Sequence, residues 1–225
     1  MPDIDWTTGL KQIGFDDLRP FYDAPDGPHR NAVVELNESR KLVRRPTARR
    51  MIDATRTANA LKLLGRLPAA GETWHLISKG NTPLADLIPA VLELAFPATI
   101  RYLGITTLGF SKINVEALCT LIDAKRVRRL DFVFSSYFRG MEKDVCAFII
   151  TELTGRGARV LAARCHAKLM LFELTDGRCL VCETSGNLRS CRSIEQITLT
   201  NDRRLLAFHR AWIDELFRKH EEAAR

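Results

Sequence analysis

The sequence predicts an α/β fold, a mixed and largely parallel sheet flanked by helices on both faces, and three observations carry that expectation. From Met51 onward strand-like and helix-like segments alternate, the order that builds a parallel sheet with helices packed on its faces. After Gly157 the alternation stops and strand-like segments follow one another closely; two of them are joined by Asp176-Gly177, a strong hairpin turn. The chain has 225 residues, of which 46% are apolar, enough for one large core.

Taken in order, residues 1–50 read as an N-terminal extension and residues 51–225 as the folded domain. "FYDAPDGPHRN" is rich in turn formers, and "SRKLVRRPTARR" carries Arg40, Lys41, Arg44, Arg45, Arg49 and Arg50 with no acid. That run reads either as a solvated linker or as an arm that contacts phosphates. A helix is expected over 51–64, the strand "TWHLISK" after it, and a helix over 83–95 with Asn81 and Thr82 as candidate caps. Then come the strand "TIRYLGITTLGF", a helix over 114–124, the strand "RRLDFVFSS", and a helix over 141–154 ended by Gly155. Between the last two, "SSYFRG" reads as a loop at a strand end, where sites of α/β proteins gather. Tyr137, Phe138 and Arg139 there suit a nucleic-acid strand, or the loop is a turn with buried aromatics. The strands "ARVLAAR", "HAKLMLFEL", "RCLVCET" and "EQITLTN" complete the sheet. A closing helix over 202–221 is expected to turn Leu205, Leu206, Phe208, Ala211, Trp212, Leu216 and Phe217 to the core.

The net charge of +7 and a pI near 9.3 favour a polyanionic partner, although a merely basic soluble protein shows the same balance. No apolar run approaches the roughly 20 residues that span a bilayer, and the N-terminus lacks the pattern of a signal peptide. A cytoplasmic protein without stable membrane association is therefore expected. The 6 cysteines read as reduced thiols. Cys179 and Cys182 form a CxxC, yet in a strand residues three apart face opposite sides, and no second Cys/His pair stands at a zinc spacing.

The chemistry gathers in "RCHAKLMLFELTDGRCLVCETSGNLRS". His166 and Lys168 open one apolar strand; Ser185 and Asn187 follow the next. The hairpin should bring the four together. Such a set suits a phosphoryl group: a lysine for non-bridging oxygens, an amide and a hydroxyl as donors, and a neutral imidazole as nucleophile. No nearby set of carboxylates or Cys/His would hold a divalent cation, so no metal or cofactor is expected. Each residue alone has a plainer reading, the histidine as a satisfied rim residue and Ser-Gly-Asn as a turn.

"HAK" followed by an apolar strand and "TSGN" resembles the HKD signature of the phospholipase D superfamily, over about Thr73 to Glu221. Glu173 occupies the acidic position of that signature, Thr184 stands where a glycine usually precedes the serine, and the hairpin is longer than usual. The resemblance implies a two-step transfer in which His166 attacks a phosphodiester while Lys168, Ser185 and Asn187 hold developing charge, with Glu195 the candidate by position to brace the histidine. A second histidine would serve the leaving group. Two such motifs make one site in this superfamily and this chain has one, so the resemblance implies a homodimer. A nuclease acting on nucleic acid, DNA rather than RNA, is the expected activity. The alternatives are a catalytically silent nucleic-acid-binding module and a phospholipase or phosphatidyl transferase.

Overall fold

The computed structural model describes residues 57–78, 84–189 and 194–223. The extension with Arg40, Lys41, Arg44, Arg45, Arg49 and Arg50 lies outside them, as do Asn81 and Thr82. Among the described residues the chain runs through helix α1 (57–64), strand β1 (Thr73–Ser78), a 3-10 turn (Leu84–Asp86) entering α2 (Leu87–Leu94), and β2 (Ile100–Thr107). It continues with α3 (Lys112–Asp123), β3 (Leu130–Ser135), α4 (Ser136–Met141), α5 (Lys143–Thr154) and β4 (Arg159–Ala163). β5 (Leu169–Leu174), β6 (Cys179–Thr184), β7 (Glu195–Asn201) and α6 (Arg203–Ala223) complete it.

Among the described residues seven strands make one mixed sheet in the order β1-β7-β6-β5-β2-β3-β4. β2, β3 and β4 pair in parallel, and the ladders β2/β5, β5/β6, β6/β7 and β7/β1 are antiparallel. The strands of the alternating half, β1 to β4, all point the same way with β6, and β5 and β7 oppose them. The hairpin between β5 and β6 turns at Gly177, whose φ of +92° is a left-handed conformation that glycine adopts without strain.

The period of two along the strands sorts the core onto two faces. Leu103, Ile105, Phe132, Phe134, Met170 and Phe172 pack with α2, α3 and α5 on one face. Tyr102, Val133, Leu169, Leu171 and Val181 pack beneath α6 on the other. Every residue of β3 is buried and β2 is buried but for Arg101, as central strands covered on both faces require. Each fully buried Leu or Phe contributes roughly 1.5–3 kcal/mol over its exposed state.

Two helical segments depart from the sequence expectation. In α6 the buried residues are Leu206, His209, Ile213 and Phe217, whereas Phe208 is 65% exposed and Ala211 faces solvent. The helix is turned by the charges beneath it. Asp131, fully buried on β3, accepts two hydrogen bonds from Arg159 at 2.8 and 2.7 Å, and Arg159 also pairs with Asp214 of α6. Arg210 of α6 reaches Glu173 at 3.0 Å. Seating Arg210 and Asp214 over this polar floor carries Phe208 outward.

The second departure is "SSYFRG", which is helix α4 rather than a loop. The Ser135 hydroxyl accepts the Tyr137 amide at 3.2 Å as an N-cap. Glu142, at φ −125° and ψ 60°, breaks the helical path, so α5 starts at Lys143 and not at Met141. Phe138 is buried with its ring 4.8 Å from Phe110; Tyr137, 70% exposed, and Arg139 stand in solvent.

Candidate active site

The position of His166 follows from topology. Among the described strands β4 is one edge of the sheet, and β5 lies beyond β3 and β2. The chain leaving Ala163 must therefore cross the carboxyl ends of both strands before it enters β5 at Leu169. Three strand spacings come to about 14 Å, and six residue steps span at most roughly 20 Å. Little slack remains for regular structure. His166, Ala167 and Lys168, expected at the head of a strand, instead precede β5 in this crossing segment. The Thr106 hydroxyl at the end of β2 donates to the Ala167 carbonyl at 3.0 Å. The Thr184 amide donates to the Lys168 carbonyl at 3.1 Å.

Here the Lys168 ammonium stands 3.3 Å from Nδ1 of His166 and donates to the His166 carbonyl at 3.2 Å. An ammonium can only donate, so in this contact Nδ1 carries the lone pair and the neutral ring has its proton on Nε2. His166 is exposed and Lys168 half-buried. Beside them burial pushes the Cys165 thiol up, against the opposing pull of the Ala167 carbonyl contact and the Lys168 charge, which keeps the sulfur protonated.

The second wall emerges where β6 ends. The Ser185 hydroxyl donates to the Glu195 carboxylate and accepts the Gln196 amide at 2.9 Å. Thr184 donates to the Gln196 carbonyl at 2.9 Å and accepts the Gly186 amide at 3.1 Å, so this departure from the signature holds the turn together. Gly186 is needed for closeness: a Cβ there would lie 2.6 Å from Leu84 Cδ1 and 3.0 Å from the Glu195 carboxyl carbon. The Asn187 side-chain oxygen accepts the Leu108 amide at 3.0 Å, which leaves its NH2 as the donor for an incoming group.

The residues at the end of β2 escaped the sequence reading. Thr107 accepts the Leu188 amide at 3.1 Å and donates to the Gly109 carbonyl at 2.9 Å, and Asn114 of α3 donates to the Leu188 carbonyl at 2.5 Å. With Thr106 they fasten both walls to one strand end. Their signal was "TT" closing an otherwise apolar central strand, where a buried hydroxyl requires a partner.

Other expected residues stand elsewhere. Among the described residues no hydrogen bond joins Glu195 to His166; the carboxylate meets Ser185 instead. Glu173, at the far end of β5, pairs with Arg101 at 3.1 Å and Arg210 at 3.0 Å, a structural task. His75 on β1 lies 3.4 Å from the Thr198 hydroxyl, and His209 accepts the Trp212 indole N–H at 3.2 Å under α6. Neither is bonded to His166 or Lys168. Tyr137 and Arg139 belong to α4, which leaves the sheet at the same end as the crossing segment. Among the described residues no group of three or more His, Cys, Asp or Glu side chains is placed to hold a metal ion.

No protein-family model matches the sequence, and no curated protein matches it. In fold the chain is similar to solved structures. One is Nuc from Salmonella typhimurium, a phospholipase D family member, with 14% identity and a TM-score of 0.46 over 64% of this chain and 92% of that one. A second is phosphatidylserine synthase from Haemophilus influenzae Rd KW20, with 16% identity and a TM-score of 0.46 over 66% of this chain and 38% of that one. A third is polyphosphate kinase from Porphyromonas gingivalis, with 13% identity and a TM-score of 0.44 over 62% and 26%. The chain thus spans nearly all of the first and well under two thirds of the other two.

Proposed function

We propose that the chain is a metal-independent phosphodiesterase that hydrolyses nucleic acid through a phosphohistidine at His166, in a site completed by a second copy of itself. The observation that carries this reading is the Lys168 ammonium 3.3 Å from the His166 ring, at the sheet end where Ser185 and Asn187 emerge. An arriving phosphodiester offers Lys168 better acceptors than an imidazole nitrogen, so the contact loosens and the ring lone pair turns toward phosphorus. Attack forms the N–P bond and breaks the bond to the leaving oxygen. That alkoxide takes a proton from a second histidine, the partner copy's equivalent group. Water then adds to phosphorus and gives its proton to that histidine as the N–P bond breaks. Lys168 and the Asn187 amide stabilise the charge gathered on the non-bridging oxygens.

The charge of +7 supports a nucleic-acid substrate, and DNA is taken as the first to test. Among the described residues no helix is long and apolar enough to cross a membrane. The test incubates wild type and His166→Ala with labelled single- and double-stranded DNA and RNA, and with phosphatidylcholine vesicles, in excess chelator. Nucleic-acid cleavage that survives chelation and falls more than about 10³-fold in the variant supports the reading. Binding without turnover on every substrate favours the silent module, and turnover of lipid alone favours the phosphatidyl enzyme. A species that sediments as a monomer while turning over substrate overturns the shared site.

A further inference from the structure

α4 and α5 enclose a cleft of about 550 Å³, lined by Ser136, Arg139, Lys143, Cys146, Ala147 and Ile150 among others. Its volume falls within the range of small-molecule sites. The lining holds two cationic side chains, Arg139 and Lys143, and three small or apolar ones, Cys146, Ala147 and Ile150. Glu142 and Asp144 flank it in sequence, but neither lines it. Burial pushes the Cys146 thiol up; the Arg139 guanidinium acts against that rise and the Glu142 carboxylate adds to it.

Resting on the nuclease reading above, we infer that this cleft is a subsite for one nucleotide of a single strand, its base on Ala147 and Ile150 and its phosphate between Arg139 and Lys143. A base face is open to such a surface in a single strand and closed in a stacked duplex, which selects the former. The neighbouring exposed Tyr137 offers a stacking surface for the next base. Position agrees with the chemistry. Ser135 pairs with Ala163 across β3 and β4, and His166 follows Ala163 by three residues, so Ser136 of the cleft lining lies within about 20 Å of His166. A strand stacked at about 3.4 Å per nucleotide covers that gap in roughly six nucleotides. The subsite would select strand substrates longer than a few nucleotides.

The test needs no turnover. Full-length chain carrying His166→Ala is titrated into fluorescein-labelled oligothymidylate of 6 to about 15 nucleotides, and into a duplex, with Arg139→Glu, Ala147→Trp and, as a control of equal charge change on α6, Lys219→Glu added in turn. Ala147 is exposed, so Trp fills the cleft with charge unchanged; thermal melts confirm that each variant folds. Arg139→Glu and Ala147→Trp are expected to weaken single-strand binding at least about 10-fold, with the salt slope lowered by about one in Arg139→Glu, while Lys219→Glu shifts it less than twofold. Equal affinity of Ala147→Trp and its parent overturns the subsite, as does loss confined to the duplex. Absence of phosphodiester cleavage by wild type would defeat the nuclease reading while leaving this binding result readable by itself.

Discussion

Thr106 makes one hydrogen bond to the crossing segment, at the Ala167 carbonyl between His166 and Lys168. Thr106→Val keeps the shape and removes the donor, at a stability cost of about 1 kcal/mol. If the bond positions the pair, kcat falls about 10-fold or more with KM little changed, and Thr106→Ser restores it; equal losses in both variants would mean that only packing was disturbed. Gly186 gives a second expectation. A methyl there meets Leu84 and Glu195, so Gly186→Ala is expected to cost about 1–3 kcal/mol in urea unfolding and to push the carboxylate from Ser185. Gly186→Ala with wild-type stability and turnover would show that the turn absorbs the clash. At this scale the four polar residues stand out in the sequence because His-x-Lys and Ser-x-Asn flank apolar strands. It did not disclose their partners: Ser185 meets Glu195 across ten positions of chain, and Asn187 meets Leu108 across 79.

Among elements, β4, β5 and β6 were legible as short apolar runs and β1 and β7 as alternating ones, and β5 and β6 were fixed as a hairpin by Asp176-Gly177. The start of β5 was not, because "HAKLMLFEL" has strand composition throughout and only the crossing over β3 and β2 shortens it. Helix α4 was hidden for a related reason: six residues between a buried strand and a break at Glu142 leave no helical period to read. The rotation of α6 depended on charges from three strands that no local pattern reveals. Those charges set a pH dependence. Burial alone would raise the Asp131 carboxyl, but the hydrogen bonds and charge of Arg159, with Arg129 beside it, hold it below its ordinary value. A lowered pKa contributes stability above the unfolded value near pH 4 and loses it as pH falls through the folded value. Arg159→Leu, which leaves Asp131 with the weaker Arg129 contact at 3.3 Å, is expected to cost about 3 kcal/mol at pH 7. In urea titrations its deficit should narrow below about pH 4; a deficit independent of pH would place the loss in packing against Phe217, over whose ring Arg159 lies at 4.3 Å.

For the whole molecule, the candidate site belongs to no single stretch of chain: Thr106 and Leu108, then His166 and Lys168, then Ser185 to Asn187 and Glu195 meet at one end of the sheet. The sequence disclosed the mixed α/β class through its change of rhythm after Gly157, and left the strand order open, since the hairpin fixes only one of six ladders. That order has a consequence in time. β1 pairs with β7, Thr73 opposite Thr200, and β2 pairs with β5, so among the described strands the first to be synthesised waits for the last. Until then β1 is an unsatisfied edge, and β2 lacks one neighbour. Closure across such long separations is slow. The nascent chain therefore passes most of its synthesis with its sheet open at one side, and its chemistry is assembled only when the last strand docks.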